Sequence, residues 1–483
     1  MWVNGNYPEP RRFLMESLHT PRGISRRRLL AGLGLGTASA FLAAACGGTA
    51  APAMEEQAEE AEAPKAEEEM KQAEEAVPVQ FLHWWISRID PGGLVPWALE
   101  EFTNRTGIPV EDVGRDPIEP LRQHFRTTIA AGTPVDVAFN SIIWARDHWD
   151  LGLLMDYEPY LTQYPHIQDD QYFEASHQFR KAEGATFGIP VMGPESQSIV
   201  VNGQLLIDIG LDENGGDINN WDDLVAAARA MTKREGDNLS VSGFLLPDNV
   251  ALARWAAWVL TTGTGAYDAE QFTAQYDTEE ARDTMQFLFN LWNREDVSAK
   301  SPDGGTLTDP RHHELLQANQ AGMHYDISST PTLRYFEVPR DFKYWQIGYP
   351  GHPDGGQFAT ASWMNPVVTP LGAGNPDGAV EFINWFCGLE VALHKIEVNK
   401  AVSPRLDLFA HEAWTAGVAD LPVLQTREDL AKLPGVYPYR RFLKQNAEVR
   451  PILNDAYQGK IEIASALAQA DTLANQILNE PAE

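Results

Sequence analysis

From about residue 79 to its end, the chain alternates short apolar runs with longer amphipathic segments. Residues 79–82, 108–113 and 135–139 have the length and β-branched content of buried strands. Apolar residues recur at helical spacing over residues 94–106, 118–131 and 145–154. This alternation of strands and helices is typical of an α/β sheet protein.

Helix start signals recur in the second half of the chain. Asn220 precedes "WDDLVAAARAMT", with Asp222 and Asp223 in the first turn, where a helix dipole favours negative charge. Asn375 is followed by a proline, which is favoured at the first helical position. A strongly amphipathic stretch over residues 461–478 predicts a helix that closes the chain.

The N-terminal segment "SRRRLLAGLGLGTASAFLAAACGG", residues 25–48, leads from three arginines into a short run of small apolar residues. It is too short and too rich in Gly, Ser and Thr for a bilayer span, and it has the order of a secretory signal. The arginines resemble a twin-arginine export signal. The last residues resemble a lipoprotein cleavage box that makes Cys46 the lipidated first residue. We predict a signal peptide over residues 1–45; an uncleaved anchor helix is the alternative.

Residues 46–78 hold ten Glu and two Lys, with almost no large apolar side chains. Such a segment cannot bury enough apolar surface to offset the entropy that ordering costs. We therefore predict an acidic disordered tether between a lipid anchor and a folded body.

The folded body is strongly acidic. The chain carries a net charge of −31. Residues 1–45 contribute +4, from six Arg and two Glu, and the tether contributes −8. Residues 79–483 therefore carry a net charge of −27. This charge repels nucleic acid and anionic lipid, so neither is expected as a partner. The second cysteine, Cys387, lies in the apolar run "VEFINWFCGL" and is interpreted as a buried filler, with no intrachain disulfide if Cys46 is lipidated.

Several stretches, in order, resemble one known family. They are "FLHWW", "LEEFTNRTGIPV", "LRQHFRTTIAAGTPVDVAFN", "GLLMDYEPYL", "FGIPV", "IVVNGQLLIDIGLD", "NNWDDLVAAARAMTK", "QANQAGMHYDISS" and "NPDGAVEFINWFCGLEVALHKIEVNKAVSPR". The chain resembles the extracellular solute-binding proteins of ABC importers, in the class that binds sugars and oligosaccharides.

The resemblance implies an α/β, two-lobe, periplasmic-binding-protein-like fold of type II, hinged by crossing strands. Lobe one would comprise residues 79–192 and 350–398, and lobe two residues 195–346 and 402–483. The implied protein is a monomer without cofactor or metal. It works outside the cytoplasmic membrane, on the cell surface or the periplasmic side, held by its lipid anchor alone and delivering solute to ABC permease subunits.

Open α/β sheets bind ligands beyond the carboxyl ends of their strands. Applied to the predicted strands, this rule selects residues in both lobes and at the first crossing. The selected residues are His83, Trp84, Trp85, Asn140, Ser141, Trp144, Glu195, Ser196, Gln197, Tyr325, Asp326, Ser328, Trp363 and Asn365.

These residue types suit a sugar. The apolar face of a pyranose covers an aromatic ring, and its hydroxyl groups need directional donors and acceptors. Each tryptophan also has a packing interpretation. Trp255, Trp258, Trp292 and Trp385 are predicted to be core. Trp84 and Trp85 are adjacent on an extended run and point to opposite sides, with Trp85 preferred for the cleft.

No motif of an enzyme stands out. The sequence has no Gly-x-Ser-x-Gly, and it has no phosphate-binding Gly-x-x-x-x-Gly-Lys. We therefore expect no catalysis. Two alternatives stay open: a secreted carbohydrate-active enzyme, and a receptor of the same fold for a cationic solute such as a polyamine, which the acidic body favours.

Overall fold

The computed structural model describes residues 76–480, apart from residues 86–89, 91, 116–117, 269–270, 299–309, 328–342, 400–401, 419–426 and 437–439. The predicted signal peptide, Cys46 and Ser328 lie outside the described residues.

Among the described residues, the strands range from two to fourteen residues in length. They are β1 Val79–Leu82, β2 Val110–Asp112, β3 Val137–Phe139, β4 Lys181–Ala182, β5 Ala185–Thr186, β6 Ile189–Asn202, β7 Lys233–Glu235, β8 Asn238–Leu245, β9 Tyr267–Asp268, β10 Thr273–Ala274, β11 Ala321–Ile327, β12 Tyr344–Ile347, β13 Thr360–Val368 and β14 Gly435–Val436.

The helices of the described chain follow the amphipathic segments. They are α1 Leu94–Thr106, α2 Ile118–Ala130, α3 Ile142–Asp150, α4 Glu158–Leu161, α5 Gly203–Asp208, α6 Trp221–Met231, α7 Leu252–Leu260, α8 Glu279–Asn293, α9 Pro310–Gln317, α10 Pro376–Phe386, α11 Leu389–Asn399, α12 Leu406–Phe409, α13 Glu412–Val418, α14 Arg427–Lys432, α15 Phe442–Glu448, α16 Arg450–Tyr457 and α17 Ile463–Leu478.

One mixed sheet runs through the described part of the chain in the order β2-β1-β3-β13-β6-β11-β8-β7. β12 also pairs with β6, and β14 pairs with β13. The pairs β1–β2, β1–β3, β8–β11 and β13–β14 are parallel. At the centre, β13 is antiparallel to β3 and β6, and β6 is antiparallel to β11 and β12; the edge pair β7–β8 is also antiparallel.

β6 joins two hydrophobic cores. Its first residues, Ile189 to Met192, pack in a core with β1, β3, α1 and α10. Its later residues, Ile199 and Val201, pack in a second core with α6, α7, α8 and α17. β6 is therefore a continuous extended segment that links the two cores.

Two features of the cores were not expected from the sequence: a second strand that links them, and a third hydrophobic cluster. Ala361 on β13 packs in the second core, whereas Val367 and Val368 pack in the first, so β13 itself crosses between them. The predicted change from lobe two to lobe one, between residues 346 and 350, precedes this point. A third cluster, which the sequence did not predict, joins Val200 to α11 and α12 through Ile396 and Leu408. The lobe boundaries therefore stay a prediction, and these cores favour a crossing on β13.

The predicted helix start at Asn220 is confirmed. The Asn220 side chain accepts from the Asp223 backbone N–H at 3.0 Å, and the Asp223 carboxylate accepts from the Asn220 N–H at 3.3 Å. This reciprocal pair is a capping box that satisfies two backbone donors at the start of α6. Asn375 caps α10 in a similar way, accepting from the Gly378 N–H.

Replacing the α6 cap should lower stability without changing the fold. Asn220→Ala removes the acceptor for the Asp223 N–H and should cost about 1 kcal/mol in the free energy of unfolding. Urea denaturation measures the difference. The control is Asn219→Ala at the neighbouring exposed position, which should stay within about 0.5 kcal/mol of the parent. Equal losses in both variants would contradict a specific capping role.

Candidate functional site

The carboxyl ends of strands from both cores converge on the middle of β6. β3 ends where Phe139 faces Val367 of β13, and the rest of β13 runs back beside residues 190–197 of β6. From the opposite direction, β11 ends where Ile327 faces Gln197. The sheet edges that ordinarily bind ligands in α/β proteins therefore meet at one stretch of β6.

Most of the residues selected from the sequence lie along this stretch. In sheet order, they follow β1 (Trp84, Trp85), follow β3 (Asn140, Ser141), and lie on β13 (Trp363, Asn365), β6 (Glu195, Gln197) and β11 (Tyr325, Asp326). Glu195 faces Trp363 across the ladder. The structure places the backbones of Glu195, Asp326 and Trp363 on these strands, while their side chains lie outside the described part.

The β6–β13 ladder is irregular at this position. Its register shifts twice around Asn365, so that β6 carries extra residues opposite β13. Gly193 lies in the irregular stretch with φ 119°, a conformation that residues with a side chain rarely adopt. Bulges of this type redirect side chains and occur frequently beside binding sites.

Asn140 presents an unsatisfied acceptor at the end of β3. The side chain is 1% exposed. Its Nδ2 pairs with His148 Nδ1 at 3.0 Å, and its backbone N–H donates to the Pro366 carbonyl at 2.8 Å. Burial lowers the pKa of His148 to about 3, so this ring is neutral and accepts at Nδ1. Asn140 Oδ1 has no protein partner in the described structure.

The middle of β6 has similar unsatisfied groups. Gln197 Oε1 and Ser198 Oγ are buried without protein hydrogen-bond partners in the described structure, as is the Gln346 side-chain amide on neighbouring β12. An unsatisfied buried polar group costs about 1–3 kcal/mol. Gln197 and Ser198 are neighbours on β6 and point to opposite faces of the sheet, so a polyhydroxylated ligand on one face would satisfy only one of them.

The two adjacent tryptophans are exposed in the opposite order from that expected. Trp85 is 5% exposed, and its ring packs edge-on against Phe139 at 4.9 Å between centroids. Trp84 is half-buried, and its Nε1 has no protein partner among the described residues. The run after β1 therefore directs Trp85 into the first core, because Phe81 and Phe386 complete an aromatic cluster around it.

Trp144 lies on α3, away from the strand ends that meet along β6. Its side chain is buried, and the Arg122 guanidinium lies 5.6 Å from the ring centroid. The predicted core tryptophans Trp255, Trp258 and Trp292 are buried, as expected. Trp385 is half-buried and donates from Nε1 to the Ala98 carbonyl at 3.1 Å.

Arg254 is a residue of this region that the sequence interpretation missed. It lies on α7, is 3% exposed, and its guanidinium lies 4.4 Å from the centre of the Tyr325 ring. No carboxylate of the described chain forms an ion pair with it. The Tyr325 hydroxyl accepts from Trp258 Nε1 at 3.1 Å, and burial raises the pKa of Tyr325 to about 12. The sequence does mark this residue, because Arg254 is the one charged residue within the apolar stretch "ALARWAAWVL".

Neither a metal site nor a membrane span appears among the residues that the structure describes. No group of three or more His, Cys, Asp or Glu side chains there is placed to hold a metal ion. Within the same residues, no helix is both long and apolar enough to cross a membrane.

The fold and the convergent strand ends define a solute-binding architecture with two cores. Residues 87–390, more than half of the chain, match the family described as bacterial extracellular solute-binding protein. The chain belongs to this family, so the predicted family and the predicted fold class are confirmed. No curated protein sequence matches the chain.

Solved structures of similar fold come from several bacteria. The sugar-binding protein MalE of Xanthomonas citri has TM-score 0.71 and 14% identity, covering 83% of this chain and 97% of that one. The cyclic α-maltosyl-1,6-maltose binding protein of Arthrobacter globiformis has TM-score 0.69 and 17% identity, covering 83% and 99%. MalE from Bdellovibrio bacteriovorus, bound to maltotriose, has TM-score 0.64 and 16% identity, covering 84% and 100%.

Cys387 should be unreactive in the folded protein. It is 2% exposed, and burial raises the pKa of its thiol to about 12, so almost none is thiolate at pH 8. Iodoacetamide labelling followed by peptide mass spectrometry should detect modified Cys387 only after denaturation. Rapid labelling of Cys387 in the native chain would contradict its interpretation as an inert filler.

Proposed function

We propose that this chain is the receptor of an ABC importer that captures a carbohydrate outside the cytoplasmic membrane and delivers it to the permease subunits. The observation that carries the proposal is the band of aromatic and amide side chains where strand ends from two cores meet on β6. The family supplies the solute-binding role and implies export. The solved relatives include proteins bound to maltotriose and to α-D-tagatose.

The ligand residues are proposed on chemical grounds. Amide groups of Asn140, Gln197 and Asn365 offer paired donors and acceptors to sugar hydroxyls. Trp363 and Trp84 offer aromatic faces for a pyranose ring, and Ser141, Glu195, Tyr325 and Asp326 complete the proposed set. Trp85 and Trp144 are left out of this set, because both pack in the first core. The chain is proposed to hold its solute through non-covalent contacts alone and to release it unchanged.

The two cores are proposed to act as lobes that close on the solute. β6 and β13 connect them as extended segments, which can absorb a hinge rotation. Closure would bring polar groups from both cores onto one ligand and create the state that a permease distinguishes from the empty receptor. A single receptor molecule suffices for this mechanism, so we propose a monomer.

The anchor is proposed from the leader sequence. Export through a twin-arginine signal, cleavage before Cys46 and lipidation of that cysteine would tie the body to the outer face of the cytoplasmic membrane through the acidic tether. A tether of this length would allow the body to reach the permease while it remains attached.

A saccharide panel tests the carbohydrate proposal. Neutral and acidic mono- and oligosaccharides and the polyamines putrescine and spermidine are added to the purified full chain, and thermal unfolding is followed. A sugar at one hundred times its Kd should add about 2.7 kcal/mol to stability by mass action. Stabilisation by polyamines alone, or turnover of a bound saccharide, would contradict the proposal.

Trp363→Ala tests the stacking role in the same assay. Loss of a stacked ring should weaken binding of the stabilising sugar by about 1 kcal/mol, roughly fivefold in Kd. The matched control is Trp97→Ala on α1, whose ring packs against His394 at 3.9 Å between centroids. An affinity that is unchanged in Trp363→Ala, measured by calorimetry, would remove this residue from the site.

A further inference from the structure

Cationic side chains surround a small cavity between elements of the two cores. The cavity measures about 200 Å³ and lies between α2 and α3 on one side and α15 and the end of α17 on the other. Its lining residues are Arg122, Arg126, Trp144, Asp147, His148, Leu151, Arg441, Leu443, Lys444 and Glu480. In a chain of net charge −31, four cations at one cavity are a local reversal of the overall charge.

The cavity is lined by two more cations than carboxylates. Lys444 is paired with Glu480, which leaves Arg122, Arg126 and Arg441 facing the single carboxylate of Asp147. Arg122 has a 3.5 Å contact with Glu119, an exposed residue of α2 outside the cavity. His148 adds no charge, because its ring is neutral. The cavity therefore carries a net charge of about +2.

Arg441 gives the clearest indication that the cavity binds an oxyanion. Its side chain is 8% exposed, and its Nε and Nη2 are buried without a protein hydrogen-bond partner in the described structure. Its backbone is held separately: the N–H donates to Asp147 Oδ1 at 2.9 Å, and the carbonyl accepts from the Gln445 N–H at 3.0 Å. A guanidinium with buried, unused donors matches the paired oxygens of a carboxylate or phosphate.

The size of the cavity limits what it can hold. Pockets that enclose a drug-sized ligand measure about 300–1,000 Å³, so this one suits a single group of a larger ligand or a small free ion. Its walls come from elements of both cores. One lining residue, His148, is hydrogen-bonded at 3.0 Å to Asn140, which follows β3 in the proposed carbohydrate site.

We propose that this cavity binds an oxyanion, and that the oxyanion is a carboxylate, phosphate or sulfate carried by the captured carbohydrate. The proposal rests on the proposed function and narrows it from carbohydrates in general to acidic sugars. Free inorganic anions share the same chemistry, and the experiment separates them from an acidic sugar.

Calorimetric titration of the purified full chain compares matched ligands. The pairs are trigalacturonate with galactotriose, and glucose 6-phosphate with glucose; sodium phosphate and sodium sulfate are titrated alone. We expect the acidic member of at least one pair to bind at least about tenfold more tightly than its neutral counterpart. Its affinity should fall as salt rises, because the attraction is electrostatic.

Arg441→Gln should weaken binding of the acidic ligand at least about tenfold, because charge-assisted hydrogen bonds are lost. The affinity for neutral sugars should stay unchanged. Arg294→Gln makes the same charge change at an exposed position outside the cavity, and it should change neither affinity. Arg126→Gln, at an exposed cavity position, provides a second test and should weaken the acidic ligand in the same direction, even if Arg441→Gln does not fold.

The outcomes separate the two proposals. Neutral sugars that bind as tightly as acidic ones, with no effect of Arg126 or Arg441, would overturn the oxyanion site and leave the carbohydrate receptor standing. Phosphate or sulfate binding that depends on these arginines, without binding of any sugar, would support the oxyanion site and overturn the carbohydrate proposal. Absence of arginine-dependent binding of every anion would overturn the oxyanion site outright.

Discussion

The hydrogen-bonded continuity of β6 is the constraint on which the rest of the structure depends. Its first half is held by β13 and its second half by β11 and β12, so one extended segment takes part in ladders belonging to two cores. This pairing sets where β3 and β11 end and therefore where their carboxyl ends face each other. The polar groups at that meeting point are buried by the same packing, and several have no protein partner in the described structure.

Local groups of arginines differ in sign from the net charge of the body. A body of charge −27 would by itself favour a cationic solute, yet Arg254 is buried beside Tyr325, and a second group of arginines surrounds the cavity near Asp147. Close charges dominate over distant ones in a low-dielectric, screened setting. These local cations therefore oppose a polyamine bound beside them, despite the acidic net charge of the body.

Local sequence signals predicted much of the fold. The Asn220 cap and the strand at Val79–Leu82 depend on neighbouring residues, and both agree with the structure. Long-range packing was harder to anticipate. The order of Trp84 and Trp85 is decided by Phe386, about three hundred residues away, and the crossing on β13 depends on which core receives Ala361. The cluster around Leu408 likewise joins distant segments. Arg441 was missed because the pair Arg440–Arg441 belongs to no recognisable motif, and the importance of Arg441 comes from residues distant in sequence.

The central claim is that two cores, linked through β6 and β13, close on a solute held between them. The most direct measurement is a spin-label distance between Gln123→Cys on α2 and Glu448→Cys on α15, both exposed positions, in a Cys46→Ala background. The account predicts that a saturating sugar shifts the distance distribution to shorter values. A distribution that stays the same while calorimetry confirms full occupancy would contradict it.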